Sequence, residues 1–212
     1  MKYIVAICGE SGSGKDLLAH RFCDFVYEAN YIVSHTTRPM RENERDGRDY
    51  HFITDEEFLQ KIMDGDMLEA SVFRDWHYGT SKAALADGLN VGVFNPEGLD
   101  ALLQSEKFMP DIKVFCYYLE VDPKTRLLRQ LNREEHPDTD EIVRRYSADK
   151  IDFEDILSYP VVVLKNETYA DLFDNMLTIL IDFQRDTQFI DEVSFANAQD
   201  RVLLAKETVQ KR

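Results

Sequence analysis

Near the amino end the chain carries Gly9-Glu10-Ser11-Gly12-Ser13-Gly14-Lys15, which fits the pattern G-x-x-x-x-G-K. The chemistry this run can do is phosphate binding. Glycines let the backbone wrap tightly enough for successive amides to point inward at phosphate oxygens. A helix starting at the end of the loop adds the positive end of its dipole, and Lys15 can bridge the β- and γ-phosphates of a nucleoside triphosphate. The context fits. A β-rich apolar run at 3–8 leads in, and an amphipathic pattern with Leu17, Leu18, Phe22, Phe25 and Val26 on one face leads out. The expected triphosphate ligands are Gly9, Ser11, Gly12, Ser13, Gly14 and Lys15. The motif usually closes on a serine or threonine whose hydroxyl ligates Mg²⁺, and here Asp16 stands in that place. Asp16 is either a hard-oxygen ligand to Mg²⁺ or an acid favoured in the first turn of a helix.

A second set of residues could hold another anion. Arg38 and Arg41 lie three apart in a polar stretch at 38–49, with Ser34, Thr36, Thr37 and Tyr50 nearby. Guanidinium forks pair bidentately with phosphate, so the two make a compact clamp; they could equally pair with Glu42, Glu44 or Asp46. Downstream, Glu69 and Tyr78-Gly79-Thr80-Ser81 add a carboxylate, a phenol and two hydroxyls. No Ser-His-Asp or Cys-His constellation is present, and His35, His51 and His77 read as loop or packing residues.

The run S-x-T-T-R-x-x-R…E-x-D-G-x-D-Y-x-F between Ser34 and Phe52, followed by Y-G-T-S at Tyr78, resembles the guanylate kinases over residues 1–183. The resemblance implies an α/β fold: a P-loop parallel-sheet core flanked by helices, with an inserted nucleoside-monophosphate-binding lobe and a small helical lid. The core would be 1–31, 88–132 and 140–184, the lobe 32–87 and the lid around 133–139. Arg38, Arg41, Tyr50 and Tyr78 would hold the acceptor monophosphate, while Ser34, Glu69 and Thr80 would face guanine. Guanine presents N1–H and an exocyclic amino group as adjacent donors, and one carboxylate can accept both. Glu69 is therefore the residue expected to set base choice. Arg133 and Arg145 match the arginines that reach the transferred phosphoryl group, and the bland alternative is that such helix arginines pair with Glu141 or Asp149. Asn166 falls where an adenine-side asparagine is expected. The implied reaction moves the γ-phosphoryl of ATP, with Mg²⁺, to GMP or dGMP.

The family pattern breaks in one place. Where D-x-D-x-Q-G is expected, the chain has Val93-Phe94-Asn95-Pro96-Glu97-Gly98. Val93 removes an acid that would orient Mg²⁺ through water, Asn95 weakens an acceptor near the acceptor base, and Asp16 could compensate for the lost carboxylate. A broader deoxynucleoside monophosphate kinase is thus an alternative. So is a catalytically inactive binding module of the same fold, although modules of that kind typically lack a working P-loop.

Elements must position these residues. Apolar β-rich runs alternate with helical patterns, as in a mostly parallel α/β sheet. Strands are expected at 3–8, 68–73, 90–94, 112–121 and 161–164. Helices are expected at 16–29, from Asp55, at 82–87, 123–132, 140–157 and 169–183. Thr54-Asp55-Glu56-Glu57 is a capping box, and Asp122-Pro123 is an N-cap followed by proline at the first helical position. Residues 185–212 form an extension, helix or mobile tail. With 212 residues, 40 acidic and 25 basic, the formal net charge is −15, which argues against non-specific binding to nucleic acid or anionic membrane. No apolar run reaches the roughly 18–20 residues of a membrane span. Cys8, Cys23 and Cys116 lack metal-ligand spacing and read as reduced thiols in a cytoplasmic protein, a monomer or homodimer.

Overall fold

The computed structural model describes residues 1–42, 44–73, 75–133 and 136–210. The first half of the chain runs β1 (Lys2–Cys8), α1 (Lys15–Phe25), β2 (Ala29–Tyr31), β3 (His35–Thr36), β4 (His51–Phe52), α2 (Asp55–Met63), β5 (Met67–Phe73) and β6 (Trp76–Ser81). The second half runs β7 (Gly88–Phe94), α3 (Pro96–Phe108), β8 (Ile112–Glu120), α4 (Pro123–Leu131), α5 (Thr139–Asp152), β9 (Val161–Lys165), α6 (Tyr169–Thr187) and α7 (Glu192–Gln210). A five-stranded parallel sheet has the order β2-β7-β1-β8-β9, and a four-stranded sheet has the order β4-β3-β6-β5. The fold class expected from the sequence is therefore the one observed. Contacts divide the chain into two compact units, Met1–Ala6 with Ala29–Phe115 and Ile7–Glu28 with Cys116–Arg212.

In the first unit, β5 and β6 form an antiparallel hairpin with a register shift between Met67 and Glu69, and β6 pairs antiparallel with β3. The hairpin turn uses Asp75 at φ 69°, a left-handed conformation that a short polar side chain tolerates. Thr54 and Glu57 close the predicted capping box on α2, which buries Phe58. Asn95 caps α3, with Pro96 at its first position. The core of this unit includes Ile4, Ile32, Phe58, Leu89, Val91, Leu99 and Leu102.

In the second unit, β8 pairs parallel with β9. Asp122 caps α4 by accepting from the Lys124 and Thr125 amides. On α6, Leu172, Met176, Ile179, Leu180 and Phe183 are buried in a helical stripe, each worth roughly 1.5–3 kcal/mol of burial. The extension is α7, with Ala198 and Val202 fully buried and contacts to α6 and α1. The Gln184 side chain donates to the Ile190 carbonyl and accepts from its amide, fixing the turn between α6 and α7.

Several expected bounds change. The helix expected at 82–87 is only one 3-10 turn, Lys82–Ala84. Asn90 explains the stop: its side chain bonds the backbones of Ala86 and Gly88, and Gly88 sits at φ 96°. Helix α1 ends at Phe25, not residue 29, because Val26 turns extended toward β2. Helix α5 ends at Asp152 and is followed by a separate 3-10 turn, Ile156–Ser158. Strand β6 and helix α3 fill segments for which no element was expected.

Candidate active site

The phosphate loop leaves β1 at Cys8 and enters α1 at Lys15. Gly12 and Gly14 sit at φ 81° and 89°, where side-chain-bearing residues are strained. Space also demands glycine: a Cβ on Gly12 would lie 2.6 Å from the Arg126 carbonyl oxygen, and one on Gly14 would lie 2.9 Å from Asn166 Nδ2. Helix α1 begins on Gly14 with no side-chain cap, whereas α2 to α6 each begin with a residue whose side chain caps the helix. The first turn of α1 is thus left without the side-chain acceptor that caps the others, and its dipole faces the loop. Ser13 is buried, and its hydroxyl has no hydrogen-bond partner among the described residues. This donor set suits a polyanion.

The loop is held from outside. Arg129 on α4 donates to the Gly12 and Ser13 carbonyls through Nη1 at 3.2 Å each, and to the Asn166 and Glu167 carbonyls through Nη2. Asn166 is buried and gives its amide to the Ser13 carbonyl at 2.7 Å, while its oxygen accepts from Asn175 at 3.3 Å. Asp16 is exposed in the first turn of α1. Among the described residues no group of three or more His, Cys, Asp or Glu is arranged to hold a metal ion. The exposed Asp16 carboxylate is the kind of hard oxygen that Mg²⁺ takes.

In the other unit, Arg38 is 5% exposed and makes a bidentate pair with Glu44, both bonds 2.8 Å. Glu44 also accepts from the Arg41 amide at 2.9 Å and pairs with its guanidinium at 3.4 Å. Burial would raise the Glu44 carboxyl, yet the Arg38 and Arg41 hydrogen bonds hold it below the ordinary range. The clamp is therefore assembled around an internal carboxylate. The Arg38 guanidinium lies 5.4 Å from the Tyr50 ring, which meets Tyr78 edge-on at 6.0 Å. Glu69 is 6% exposed, and burial raises its carboxyl to about 7 against the opposing hydrogen bonds from Thr80. Ser34 and Thr80 share a hydrogen bond of 3.2 Å. Asn95 Oδ1 accepts from the Gly98 amide at 2.6 Å and from Ser71 Oγ at 3.5 Å. A Cβ on Gly98 would lie 3.5 Å from Glu69 Oε2. Gly79 is needed as well, since a Cβ there would come within 2.7 Å of the Glu69 carbonyl.

Of the expected lid residues, Arg133 is exposed just beyond α4, with its amide bonded to the Gln130 carbonyl. Glu134 and Glu135 of the expected lid lie outside the described residues. Arg144 and Arg145 both pair with Glu141, each through Nε at 2.6 Å. The Arg144 hydrogen bond is the main reason the Glu141 carboxyl is lowered to about 2; burial opposes it, and the Arg145 hydrogen bond adds to it. Sequence reasoning passes over Arg126 and Arg129, and weighs Asp149 only as an ion-pair partner for Arg133 or Arg145. Arg126, Arg129 and Arg133 fall at i, i+3 and i+7, a helical stripe visible in the sequence. The reach of Asp149 to Ser11 leaves no such trace.

A glycine cradle between β1 and α1 of a parallel α/β sheet, and a second, four-stranded sheet that carries a buried acid and hydroxyls beside paired arginines, define an α/β P-loop protein. The family model described as "Guanylate kinase" matches residues 1–182, and the chain belongs to the guanylate kinase family. It is 32% identical over 181 residues to a guanylate kinase of Thermotoga maritima, covering 84% of this chain and 85% of that one. It is 45% identical over 92 residues to one of Legionella pneumophila, a match spanning 43% of each chain. The crystal structure of guanylate kinase from Anaplasma phagocytophilum shares the fold, with a TM-score of 0.59 at 19% identity, covering 90% of this chain and 88% of that one.

Proposed function

We propose that this protein is an ATP-dependent nucleoside monophosphate kinase that converts GMP or dGMP to the diphosphate. The observation that carries the reading is the uncapped, glycine-built start of α1, an intact phosphate cradle in a chain of this family. A pure binding module has no use for it. Lys15 and the loop amides hold the donor phosphates, Asn166 flanks the adenine side, and Arg133 and Arg145 neutralise the migrating group. Arg38, Arg41, Tyr50 and Tyr78 hold the acceptor phosphate, and Glu69, Ser34, Thr80 and Asn95 read its base. The acceptor oxygen is already anionic at neutral pH, so no protein base is needed, and positioning with charge stabilisation suffices. Bound Mg²⁺ would neutralise the donor phosphates, and Asp16 is its nearest protein candidate.

The acceptor lobe is 32–87 and the lid lies around 133–139. No helix among the described residues is long and apolar enough to cross a membrane. Cys8, Cys23 and Cys116 form no disulfide among the described residues, in keeping with a reducing, cytoplasmic setting for a monomer or homodimer that takes nucleotides but not nucleic acid. Val93 and Asn95 favour a second reading, a wider range of deoxynucleoside monophosphates. The test is coupled ADP release with ATP and Mg²⁺ across GMP, dGMP, dTMP, AMP and ribose 1,5-bisphosphate. Turnover confined to GMP and dGMP supports the first reading and comparable dTMP or AMP turnover the second, while silence with all five rules out both.

A further inference from the structure

The first half of the phosphate loop is held by charges that its motif does not require. Arg126 on α4 is 2% exposed, with Nη2 2.9 Å from Glu10 Oε1 and Nη1 3.7 Å from Asp149 Oδ2. Asp149 on α5, also 2% exposed, accepts from the Ser11 amide at 2.8 Å and from the Ser11 hydroxyl at 3.3 Å. The Tyr118 hydroxyl donates to Glu10 Oε2 at 3.2 Å. The main chain of Arg126 presses on the same loop at Gly12. Its Nε and Nη1 have no hydrogen-bond partner among the described residues.

Two carboxylates thus stand against a loop whose ligand is a polyanion, with one buried guanidinium between them. Left uncompensated, they would repel the donor phosphates through a medium that screens poorly. As a stabilising device the cluster is a poor choice, because desolvation cancels most of what a buried ion pair contributes. Its placement makes better sense as control of the loop's charge and shape. The Ser11 amide is spoken for by Asp149 and the Ser13 amide by the Glu10 carbonyl at 3.1 Å, which leaves the Ser13 hydroxyl and the Gly14–Lys15 end as the donor surface. Asp149 also lies four residues after Arg145 on α5, so one contact ties that helix to the loop.

We infer that Arg126 and Asp149 are positioning residues for the donor nucleotide: Arg126 offsets one of the two negative charges of Glu10 and Asp149, and Asp149 sets the turn at Ser11 before ATP arrives. The inference rests on the reading of the loop as an ATP site. It also separates a charge role from a packing role by sign. A packing role predicts that any break in the cluster loosens the loop and weakens ATP. A charge role predicts that removing the cation weakens ATP while removing a carboxylate does not.

The test is calorimetric titration of ATP and, separately, of GMP into the full chain. Arg126→Met should weaken ATP about tenfold or more, the scale of leaving buried charge unpaired, and leave GMP within about twofold. Adding Glu10→Gln and Asp149→Asn to that variant removes both charges yet keeps an amide oxygen for Ser11, and should bring ATP back to within about threefold of the wild type. Glu10→Gln alone should bind ATP at least as tightly as the wild type, and this variant decides the matter if Arg126→Met does not fold. Weaker ATP binding by Glu10→Gln, equal losses of ATP and GMP in Arg126→Met, unchanged ATP binding in Arg126→Met, or a triple variant no better than the single one would each overturn the inference. Normal ATP binding by a wild-type chain that turns over no acceptor would instead sink the phosphotransfer reading and leave this inference intact.

Discussion

At the scale of single residues, the proposed acceptor lobe contains a buried acid whose charge is costly to keep. Burial raises the Glu69 carboxyl from 4.5 to about 7, so the fold favours its neutral form. Accepting from both guanine donors requires the carboxylate. The kcat/KM for GMP should therefore rise with pH through about 7 and level off above it, and a profile flat from pH 6 to 8 would remove Glu69 from that role. Stability runs the other way. An acid whose folded pKa exceeds its unfolded one destabilises the fold progressively as pH rises from 4.5 to 7, and fully above that. Glu69→Gln should raise the melting temperature at pH 8, change it little at pH 4, and raise the GMP KM by about two orders of magnitude, leaving the ATP KM near wild type. In the loop, Gly12→Ala meets both a positive φ and a backbone oxygen at 2.6 Å. It should cost about 1–3 kcal/mol in urea unfolding and abolish detectable ATP binding, and full ATP affinity would show that the loop can relax.

At the scale of elements, what was legible in the sequence was what neighbouring residues settle among themselves. The capping box at Thr54 and the Asp122-Pro123 start of α4 are local hydrogen-bond problems, and both formed as read. Asn95-Pro96 carries the same signal as Asp122-Pro123 and starts α3, although residues 93–98 stand out in the sequence first as a departure from a family motif. Strand β6 was hidden for a similar reason: Tyr78, Gly79 and Thr80 were read for their chemistry, although the strand places Thr80 opposite Glu69. Contacts distant in sequence could not be read at all, and the Ser11–Asp149 bond spans 138 positions. Helix α7 belongs with these. It lies beyond the family match, and its Arg201 donates through Nε and Nη2 to the Phe25 carbonyl at 3.0 and 2.7 Å, with the guanidinium 4.1 Å from the Tyr27 ring. This guanidinium supplies the cation that the last turn of α1 lacks. Arg201→Met should lower unfolding free energy by about 1–3 kcal/mol, the worth of hydrogen bonds to a charged group, with the GMP KM unchanged. A stability within about 0.5 kcal/mol of wild type would make α7 an ornament on α1, as a substitution away from any such feature would be.

For the molecule as a whole, the net charge of −15 has to be reconciled with the two anionic substrates proposed. A uniform negative field would slow the approach of ATP and GMP, and salt would relieve it. In the proposed site, binding rests on short-range donors: the amides at the start of α1, Lys15, and arginines already held by internal carboxylates. Arg38 and Arg41 share Glu44, Arg144 and Arg145 share Glu141, and Arg126 sits between Glu10 and Asp149. Five arginines are thus set against four carboxylates, and the three clusters together carry a net charge of only +1 before any nucleotide arrives. Little long-range attraction is left to screen, while the local hydrogen bonds remain. Between about 50 and 300 mM KCl, at saturating Mg²⁺, kcat/KM for ATP should stay flat or rise, in contrast to the steep fall expected of an electrostatically steered site. A several-fold fall over that range would mean that the clusters focus a positive field despite their internal acids, and Glu44→Gln would then be expected to steepen the salt dependence further by freeing Arg38 and Arg41.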